Sequence, residues 1–183
     1  MAGVAPEVLK PFALLTAKPI LFLGNVDESA MNENGKHGDI LQKIANPRAA
    51  KWVVFSGKLE SELNQLGTEE EKKTFREELG VTETGLEKLI RESYKLLDLI
   101  TFLTAGPAEV RGWTVERGNT AVQAAGKIHS DIAKGFIKAD VYKFADIDRL
   151  GSEKAVQEAG LKRSEGRDYV IQDGDVCYFH FRD

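Results

Sequence analysis

Two polar segments follow apolar runs and could recognise a purine base. Residues 25–28 read Asn-Val-Asp-Glu after the apolar run 18–24, and residues 56–58 read Ser-Gly-Lys after the run 52–55. The carboxyl ends of strands are where α/β sheets bind ligands. The amide of Asn25 offers an acceptor and two donors, which match the donor beside an acceptor on adenine. An Asx turn at 25–28 and a turn feeding a helix at 56–58 remain open alternatives.

The loop that grips nucleotide phosphates is absent from the sequence. No stretch reads Gly-x-x-x-x-Gly-Lys followed by Ser or Thr, so no loop amides cradle phosphates and no loop hydroxyl holds Mg²⁺. Phosphoryl transfer depends mostly on positioning and charge stabilisation. We therefore expect this chain to be inactive alone, with no catalytic residue, and Mg²⁺ to belong only to a longer protein.

A few residues of the second half could contact RNA. Trp113 lies beside Arg111 on a predicted strand and could stack on a base, although a tryptophan there more often packs in the core. Lys134 and Lys138 belong to a local basic patch, for which a solvated surface is the alternative. The patch also includes Lys162, Arg163 and Arg167.

Composition limits the partners. The 183 residues carry a net charge of -4, which argues against a broad grip on phosphate backbones, so we expect no DNA binding and only local RNA contacts. No apolar run approaches the roughly 20 residues that span a bilayer, and no secretion signal is present. A single cysteine excludes an internal disulfide. We expect a cytoplasmic protein without membrane contact.

The histidines and the cysteine do not form a metal-binding pattern. His37 lies in a polar segment and His180 on the last predicted strand, in which Cys177 alternates with Tyr178 and is expected to face the core. His129 and Asp131, two residues apart on a predicted helix, are expected not to face each other. We therefore expect no metal site and no acid-base role for His129.

The first half predicts alternating strands and helices. Strands over 18–24 and 52–55 enclose a helix over 38–46, an order that predicts a parallel pair. Further helices are predicted from Leu59 to Leu66, after Thr68 as far as Gly80, and after Thr84. The last two begin with Thr followed three residues later by Glu, a capping box. A boundary near Asp98 divides the chain into residues 1–97 and 98–183.

The second half predicts strands around one helix. A capping box at Thr120 opens a helix that ends at Gly135 in a left-handed cap, with an inward stripe of Val122, Ala125, Ile128 and Ile132. In the strand that follows, Ile137, Ala139 and Val141 are predicted to face the core. The predicted strands are 100–104, 111–115, 136–142, 169–171 and 176–181, with the last two joined as a hairpin at Asp173-Gly174. A helix is predicted within 152–162.

These segments resemble a known family over nearly the whole chain. Residues 110–115 (Val-Arg-Gly-Trp-Thr-Val), 120–131 and 172–176 (Gln-Asp-Gly-Asp-Val) resemble the TGS domain that ends the Obg-like ATPases, the YchF family. Residues 14–20 and 25–28 resemble the last part of that family's nucleotide-binding domain. The resemblance implies an α/β plus α+β chain: the last strands and helices of a Ras-like P-loop domain, then a ubiquitin-like β-grasp.

The resemblance gives the two polar segments a role. Segment 25–28 is similar to the base-recognition motif Asn-Lys-x-Asp of P-loop GTPases, in the Asn-x-x-Glu form of the Obg-like ATPases. In place of the guanine-reading Asp stands Glu28, one methylene longer, and Val26 replaces the Lys that packs on the ring. The family therefore implies ATP above GTP. The implied base contacts are Asn25, Val26, Glu28, Ser56, Gly57 and Lys58.

The resemblance also implies partners. The family is an ATP-hydrolysing switch associated with ribosomes and translation or stress regulation, with the TGS domain as the contact for ribosomal RNA or protein. One alternative is a standalone RNA- or protein-binding module without nucleotide hydrolysis, and another is a regulatory sensor fused to a different enzyme. We expect a C-terminal fragment or a truncated paralogue, whose strand at Ile20 to Leu23 has an unpaired edge and invites a dimer.

Overall fold

The structure is a computed structural model that describes residues 6–30, 35–48, 50–106 and 109–182. The chain divides into two compact units, Met1–Leu97 and Asp98–Asp183, here called unit 1 and unit 2. None of the described helices is long and apolar enough to cross a membrane.

Unit 1 is built on a two-stranded sheet. Strand β1 (Leu21–Asn25) pairs with β2 (Lys51–Phe55) in parallel, as predicted, and the register places Asn25 beside Phe55. The buried Val53 and Val54 of β2 supply part of the core. The parallel pairing brings the carboxyl ends of both strands to one edge of the sheet.

Helices surround this sheet. They are α1 (Pro6–Leu9), α2 (Lys36–Ala45), α3 (Gly57–Gln65), α4 (Glu69–Glu78) and α5 (Gly85–Leu96), with 3-10 helices at Lys10–Phe12, Leu15–Ala17, Glu28–Ala30 and Asn46–Arg48. The two predicted capping boxes are confirmed. The hydroxyls of Thr68 and Thr84 each accept a hydrogen bond from the backbone N–H three residues on. In turn, the carboxylates of Glu71 and Glu87 accept hydrogen bonds from the backbone N–H groups of Thr68 and Thr84.

Unit 2 is built on a mixed five-stranded sheet. Its strands are β3 (Leu99–Ala105), β4 (Val110–Glu116), β5 (Phe136–Lys143), β6 (Arg163–Glu165) and β7 (Asp175–Phe181), in the order β4-β3-β7-β5-β6. β3 runs antiparallel to β4 and parallel to β7, and β5 runs antiparallel to both of its neighbours. The last strand of the chain therefore lies in the middle of the sheet.

Helices cover this sheet on both faces. Helices α6 (Ala121–Ile128) and α7 (Ser130–Lys134) cover one face, and the main core between them and the sheet includes Phe102, Val141 and Phe179. Helices α8 (Phe144–Leu150) and α9 (Glu153–Glu158) pack on part of the other face, over a smaller cluster that includes Tyr142, Val156 and Val176. Sequence analysis did not predict α8.

The single helix predicted over 120–134 is wrong, because the chain leaves helical geometry at His129. There φ is -159°, and the Nδ1 atom of His129 accepts a hydrogen bond from the backbone N–H of Asp131 at 3.2 Å, which starts α7. The predicted left-handed cap at Gly135 is also wrong, since its φ is -81°. A glycine is needed there for another reason: an added Cβ would lie 1.9 Å from the carbonyl oxygen of Arg182.

The inward orientation predicted for Ile137 is wrong. The β5–β7 register slips between residues 136 and 138, so β5 carries one extra residue there. The bulge turns Ile137 outward, 49% exposed, while Phe136 and Ala139 both face the core. Simple alternation fails at a bulge because the period of two restarts after it.

The predicted hairpin at Asp173-Gly174 is also wrong. Residues 169–171 form no strand, and Val170 makes only an isolated bridge to Thr120. The turn instead fastens β7 beside β3, since Asp173 Oδ1 accepts from the N–H of Thr101 and the N–H of Gly174 donates to the Thr101 carbonyl. Local turn chemistry identified the turn but not the strand that it joins.

Candidate functional site

The carboxyl ends of β1 and β2 are joined through the side chain of Asn25. Its Oδ1 atom accepts a hydrogen bond of 3.0 Å from the backbone N–H of Gly57, the first residue of α3. Because that partner is a donor, the orientation of the amide is fixed, and its two N–H donors point elsewhere. Gly57 suits this approach, since an added Cβ would lie 3.3 Å from Asn25 Oδ1.

Two further backbone contacts hold this edge together. The N–H of Val26 donates to the carbonyl of Phe55, continuing the pairing one residue beyond the strands. Ser56 is fully buried, and its hydroxyl accepts from the N–H of Leu59 as the N-cap of α3. Four of the residues predicted to contact a base are thus assembled at one edge: Asn25, Val26, Ser56 and Gly57.

Glu28 and Lys58 are exposed and take no part in the hydrogen bonds that join the strand ends. Glu28 begins the 3-10 helix Glu28–Ala30. Lys58 lies in the first turn of α3, where its amine is 3.7 Å from Glu62 on the next turn. Both side chains are therefore solvent-accessible groups beside the assembled edge.

The side chains of Arg111 and Trp113 pack against each other. The Arg111 guanidinium lies 4.3 Å from the centre of the Trp113 ring, and the indole N–H donates to Thr104 Oγ1 at 2.9 Å. The Trp113 ring also packs against the main core of unit 2. A base would have to displace the arginine before it could stack there.

The two candidate lysines lie close together in sequence, and each is paired with an acid. Lys134 ends α7, and its Nζ is 3.2 Å from Asp131 in the first turn of that helix, while Lys138 Nζ is 3.3 Å from Asp140 on β5. Asp131 also lies 3.4 Å from His129, a contact that the sequence analysis wrongly excluded by assuming an unbroken helix. Lys134 lines an open hollow with Ile137 and Arg182.

Sequence reasoning missed a buried carboxylate. Asp175 is fully buried, and its Oδ2 accepts hydrogen bonds of 2.8 Å from the Tyr169 hydroxyl and from the N–H of Gln172. Lys143 Nζ is 2.7 Å from Oδ1, outside the direction of a well-aligned hydrogen bond, so this contact is mainly ionic. Burial, then the bond to Asp175, raises the pKa of Tyr169. These contacts hold the start of β7 to the loop before it and to Lys143, so we interpret the network as structural and call it the clamp.

Sequence reasoning also missed the pairing of Asp140 with His180. Asp140 Oδ2 is 2.8 Å from His180 Nε2. Burial opposes ionisation of Asp140, but the hydrogen bonds from His180 and Lys138 outweigh it and lower its pKa. Cys177, predicted to lie in the core, is buried, and burial raises the pKa of its thiol. Within the described ranges, no group of three or more histidines, cysteines and acids is arranged for a metal ion.

Comparison with known proteins shows what the chain is similar to. Residues 99–182 match the family model YchF-GTPase_C, described as a protein of unknown function. The chain is 43% identical to the ribosome-binding ATPase YchF of Haemophilus influenzae over 175 residues, and 42% identical to that of Bacillus subtilis over 177 residues. Each alignment covers 96% of this chain. The chain corresponds to a C-terminal portion of the YchF/Obg-like ATPase family.

Relatives outside the bacteria and solved structures agree with this assignment. Obg-like ATPase 1 of Rattus norvegicus is 43% identical over 180 residues. The solved Schizosaccharomyces pombe YchF GTPase superposes with a TM-score of 0.82 at 32% identity, over 95% of this chain and 46% of that chain. The chain spans about half the length of the curated relatives it matches, 48% of the two bacterial proteins and 44% of the rat protein.

Proposed function

We propose that this chain carries the adenine-reading edge and the ribosome-contacting domain of a YchF-type ATPase. The observation that carries the proposal is the hydrogen bond between Asn25 Oδ1 and the N–H of Gly57, which joins the ends of two parallel strands. Ligands of α/β sheets bind at such an edge. Relatives named as ribosome-binding ATPases support the same assignment.

The chemistry of the edge favours adenine. With Asn25 Oδ1 oriented toward Gly57, its amide can still donate to a ring nitrogen, and the second lone pair of the oxygen can accept from the adenine amino group. Glu28 is solvent-accessible, as a base-contacting side chain must be. Val26 offers an apolar side chain where guanine-specific motifs place a lysine. The backbone at Ser56 and Gly57 and the stem of Lys58 complete the proposed base contacts.

Unit 2 is the proposed contact domain of the TGS type. The strand order β4-β3-β7-β5-β6, with α6 and α7 laid on one face, supports a ubiquitin-like β-grasp. We assign to it the contact with ribosomal RNA or protein, and we place the protein in the cytoplasm, where ribosomes work. Unit 1 would then be the last part of a Ras-like P-loop domain.

Nucleotide titration followed by NMR tests the base site. The 183 residues lack the phosphate loop, so the base edge alone should bind ATP with millimolar affinity, with chemical-shift changes at the Asn25 and Gly57 amides and smaller changes with GTP. Mg²⁺ and hydrolysis belong to a longer protein. Equal responses to ATP and GTP, or micromolar ATP binding by calorimetry, would contradict this reading.

A pair of variants separates recognition from folding. Asn25→Asp keeps an acceptor for the Gly57 N–H but removes both donors, so we expect the sheet edge to persist and the ATP response to disappear. Asn64→Asp, on the exposed surface of α3, is the matched control and should leave the response intact. Loss of the response in both variants would point to charge rather than to base recognition.

One observation favours a second kind of partner for unit 1. Among the described residues, β1 pairs only with β2, and Ile20 and Leu23 beside its other edge are 43% and 42% exposed. An unpaired edge of this kind can add a strand from another chain. A dimer through this edge is therefore proposed, and sedimentation at increasing concentration tests it.

The alternative of a binding module without nucleotide would be favoured if no ATP response is seen while RNA or ribosome binding is retained.

A further inference from the structure

One face of the unit 2 sheet is only partly covered. Helices α8 and α9 shield the part of this face that carries Tyr142 and Val176. Two residues further along β7, Tyr178 lies on the same face of the strand and is 52% exposed. Core packing does not explain why this large aromatic side chain lies on an uncovered part of the sheet.

Tyr178 belongs to a small ordered group. Its ring meets the ring of His180 edge to face, with the centroids 4.9 Å apart. His180 is held in turn by Asp140 at 2.8 Å, and Lys138 lies 3.3 Å from the other oxygen of that carboxylate. The Asp140 carboxylate is therefore paired with neighbouring side chains, so its charge repels a polyanion less than that of an unpaired carboxylate would. The group places the rings of Tyr178 and His180 side by side on this face of the sheet.

Cationic side chains lie at the end of the same strands. Arg182 follows β7 and lines an open hollow of about 850 Å³ together with Lys134, Ile137 and Asp131. Lys134 is 77% exposed and already paired with Asp131, whereas Arg182 has no carboxylate within ion-pair distance in the described part of the chain. Of the two cations that line the hollow, Arg182 is thus the more available to a phosphate.

We propose that Tyr178 and His180 stack on unpaired bases of RNA and that Arg182 and Lys134 contact its phosphates. The proposal rests on the ribosome contact proposed above and names its chemistry: single-stranded ribosomal RNA at the β5–β7 end of unit 2. Exposed rings beside a few cations are what sequence-tolerant binding of single strands requires. The small number of cations fits a local contact by an acidic chain.

This surface differs from the one that the sequence suggests. Trp113 lies on the core side of the sheet under the Arg111 guanidinium, and its indole N–H is already bonded to Thr104. Tyr178 has half of its surface free and belongs to no core cluster. The half-exposed ring of Tyr178, with the partly exposed ring of His180 beside it, is therefore a better candidate to receive a base than the tryptophan of β4.

Fluorescence anisotropy with the intact chain and a labelled 12-nucleotide single-stranded RNA of mixed sequence tests the proposal. Tyr178→Ala should weaken binding about tenfold, because each stacked base contributes that order of affinity, and Tyr178→Phe should bind nearly as well as the parent. Arg182→Ala should weaken binding about threefold and reduce the salt slope by about one.

Two control variants match these changes. Phe144 on α8 is 53% exposed, so Phe144→Ala removes an aromatic ring of equal exposure, and Lys154→Ala removes a cation that is paired with Glu158. Both should bind RNA like the parent. RNA-induced shifts of the Tyr178 ring protons in the parent chain provide a readout that does not depend on how a variant folds.

Several outcomes would overturn the proposal. They are the absence of RNA binding by the parent, equal losses in Tyr178→Ala and Phe144→Ala, or a Tyr178→Phe variant as weak as Tyr178→Ala. Co-sedimentation with ribosomes distinguishes failure of this RNA site from failure of the proposed function. If the chain and Tyr178→Ala pellet equally with ribosomes, the ribosome contact stands and this surface is not its RNA site. If the parent alone pellets, both stand.

Discussion

The two units bury their apolar residues to very different extents. Unit 2 places twelve buried residues in one core cluster between its sheet and α6–α7, with a second cluster under α8 and α9. The described residues of unit 1 form two strands, and several of its apolar helix residues remain about half exposed, among them Ile40 on α2 and Ile90 on α5. A two-stranded sheet gives helices little area to cover.

This difference separates the two proposed roles. Unit 2 can serve as the proposed contact domain, because a core cluster of buried residues holds its sheet to α6 and α7. The proposed recognition edge of unit 1 is supported by helix caps and by one side-chain hydrogen bond rather than by a deep core. Each unit holds one tryptophan, Trp52 or Trp113, so single-tryptophan variants report the unfolding of each unit separately.

The largest loss of stability is expected at the centre of unit 2. Phe102 is fully buried and meets Phe179 edge to face, with the centroids 6.0 Å apart. Phe102→Ala should lower the free energy of unfolding of unit 2 by about 4 kcal/mol through the lost transfer energy and the cavity. Urea unfolding followed by Trp113 fluorescence in a Trp52→Phe background measures it.

The matched change in unit 1 is Ile40→Ala. Because Ile40 is 44% exposed, this variant should lower the free energy of unfolding of unit 1 by less than about 1 kcal/mol. Similar losses in the two variants would contradict the contrast between a deep core and a shallow one.

The second largest effect is expected at the buried carboxylate. Asp175→Ala removes the acceptor of the Tyr169 hydroxyl and of the Gln172 N–H, and it leaves Lys143 without its ion pair. Breaking a buried pair typically costs about 3–5 kcal/mol, and we expect about 3 because Lys143 can reach water. The same urea experiment measures it.

Asp146→Ala serves as the control for Asp175→Ala. Asp146 pairs with Arg149 one turn away on α8, at the surface, where such a pair contributes less than about 1 kcal/mol. If Asp175→Ala is no worse than this control, the clamp between β7 and the loop before it is not structural.

A smaller effect is expected at the start of α5 in unit 1. Thr84 caps this helix, and Thr84→Ala should cost about 1 kcal/mol by leaving the Glu87 N–H without its partner. Amide hydrogen exchange should accelerate in the first turn of α5 and in unit 1, while unit 2 is unchanged. Thr82→Ala, an exposed threonine outside the box, should have no effect. Equal acceleration in both units would show that they unfold together.

The smallest effect depends on pH. The pKa of Asp140 is lower in the folded chain than its unfolded value of about 3.9, so the folded state binds fewer protons there. Its stabilisation, less than about 1 kcal/mol, is present above that value and is lost as pH falls through the folded pKa. The stability gap between parent and Asp140→Asn should therefore shrink below about pH 4 in thermal unfolding. A gap that widens there would reverse the sign.

The local features of the fold were largely readable from the sequence. Thr followed three residues later by Glu marks two helix starts, and the apolar runs around 20 and 53 mark the parallel strands. Such features depend on neighbours within a few residues. The bulge at Ile137, the break at His129 and the partner of the 173–174 turn depend on distant strands, and the sequence analysis missed all three.

The candidate site divides in the same way. The segments 25–28 and 56–58 were identified because both follow apolar strands, and their assembly at one edge follows from parallel pairing. The group of Asp140, Tyr178 and His180 was not predicted, because its members lie on two strands about 40 residues apart. Alternation along β7 could have placed Tyr178 and His180 on the face opposite Cys177.

The close approach at Gly135 limits how this part of the protein can evolve. The end of β7 passes so near this position that any side chain would collide with the Arg182 main chain, whereas Ile137, two residues on, faces solvent. Only glycine fits at residue 135, whereas many amino acids fit at residue 137. Substitutions at residue 137 can therefore change the surface chemistry of the hollow without moving the backbone at residues 135 and 182.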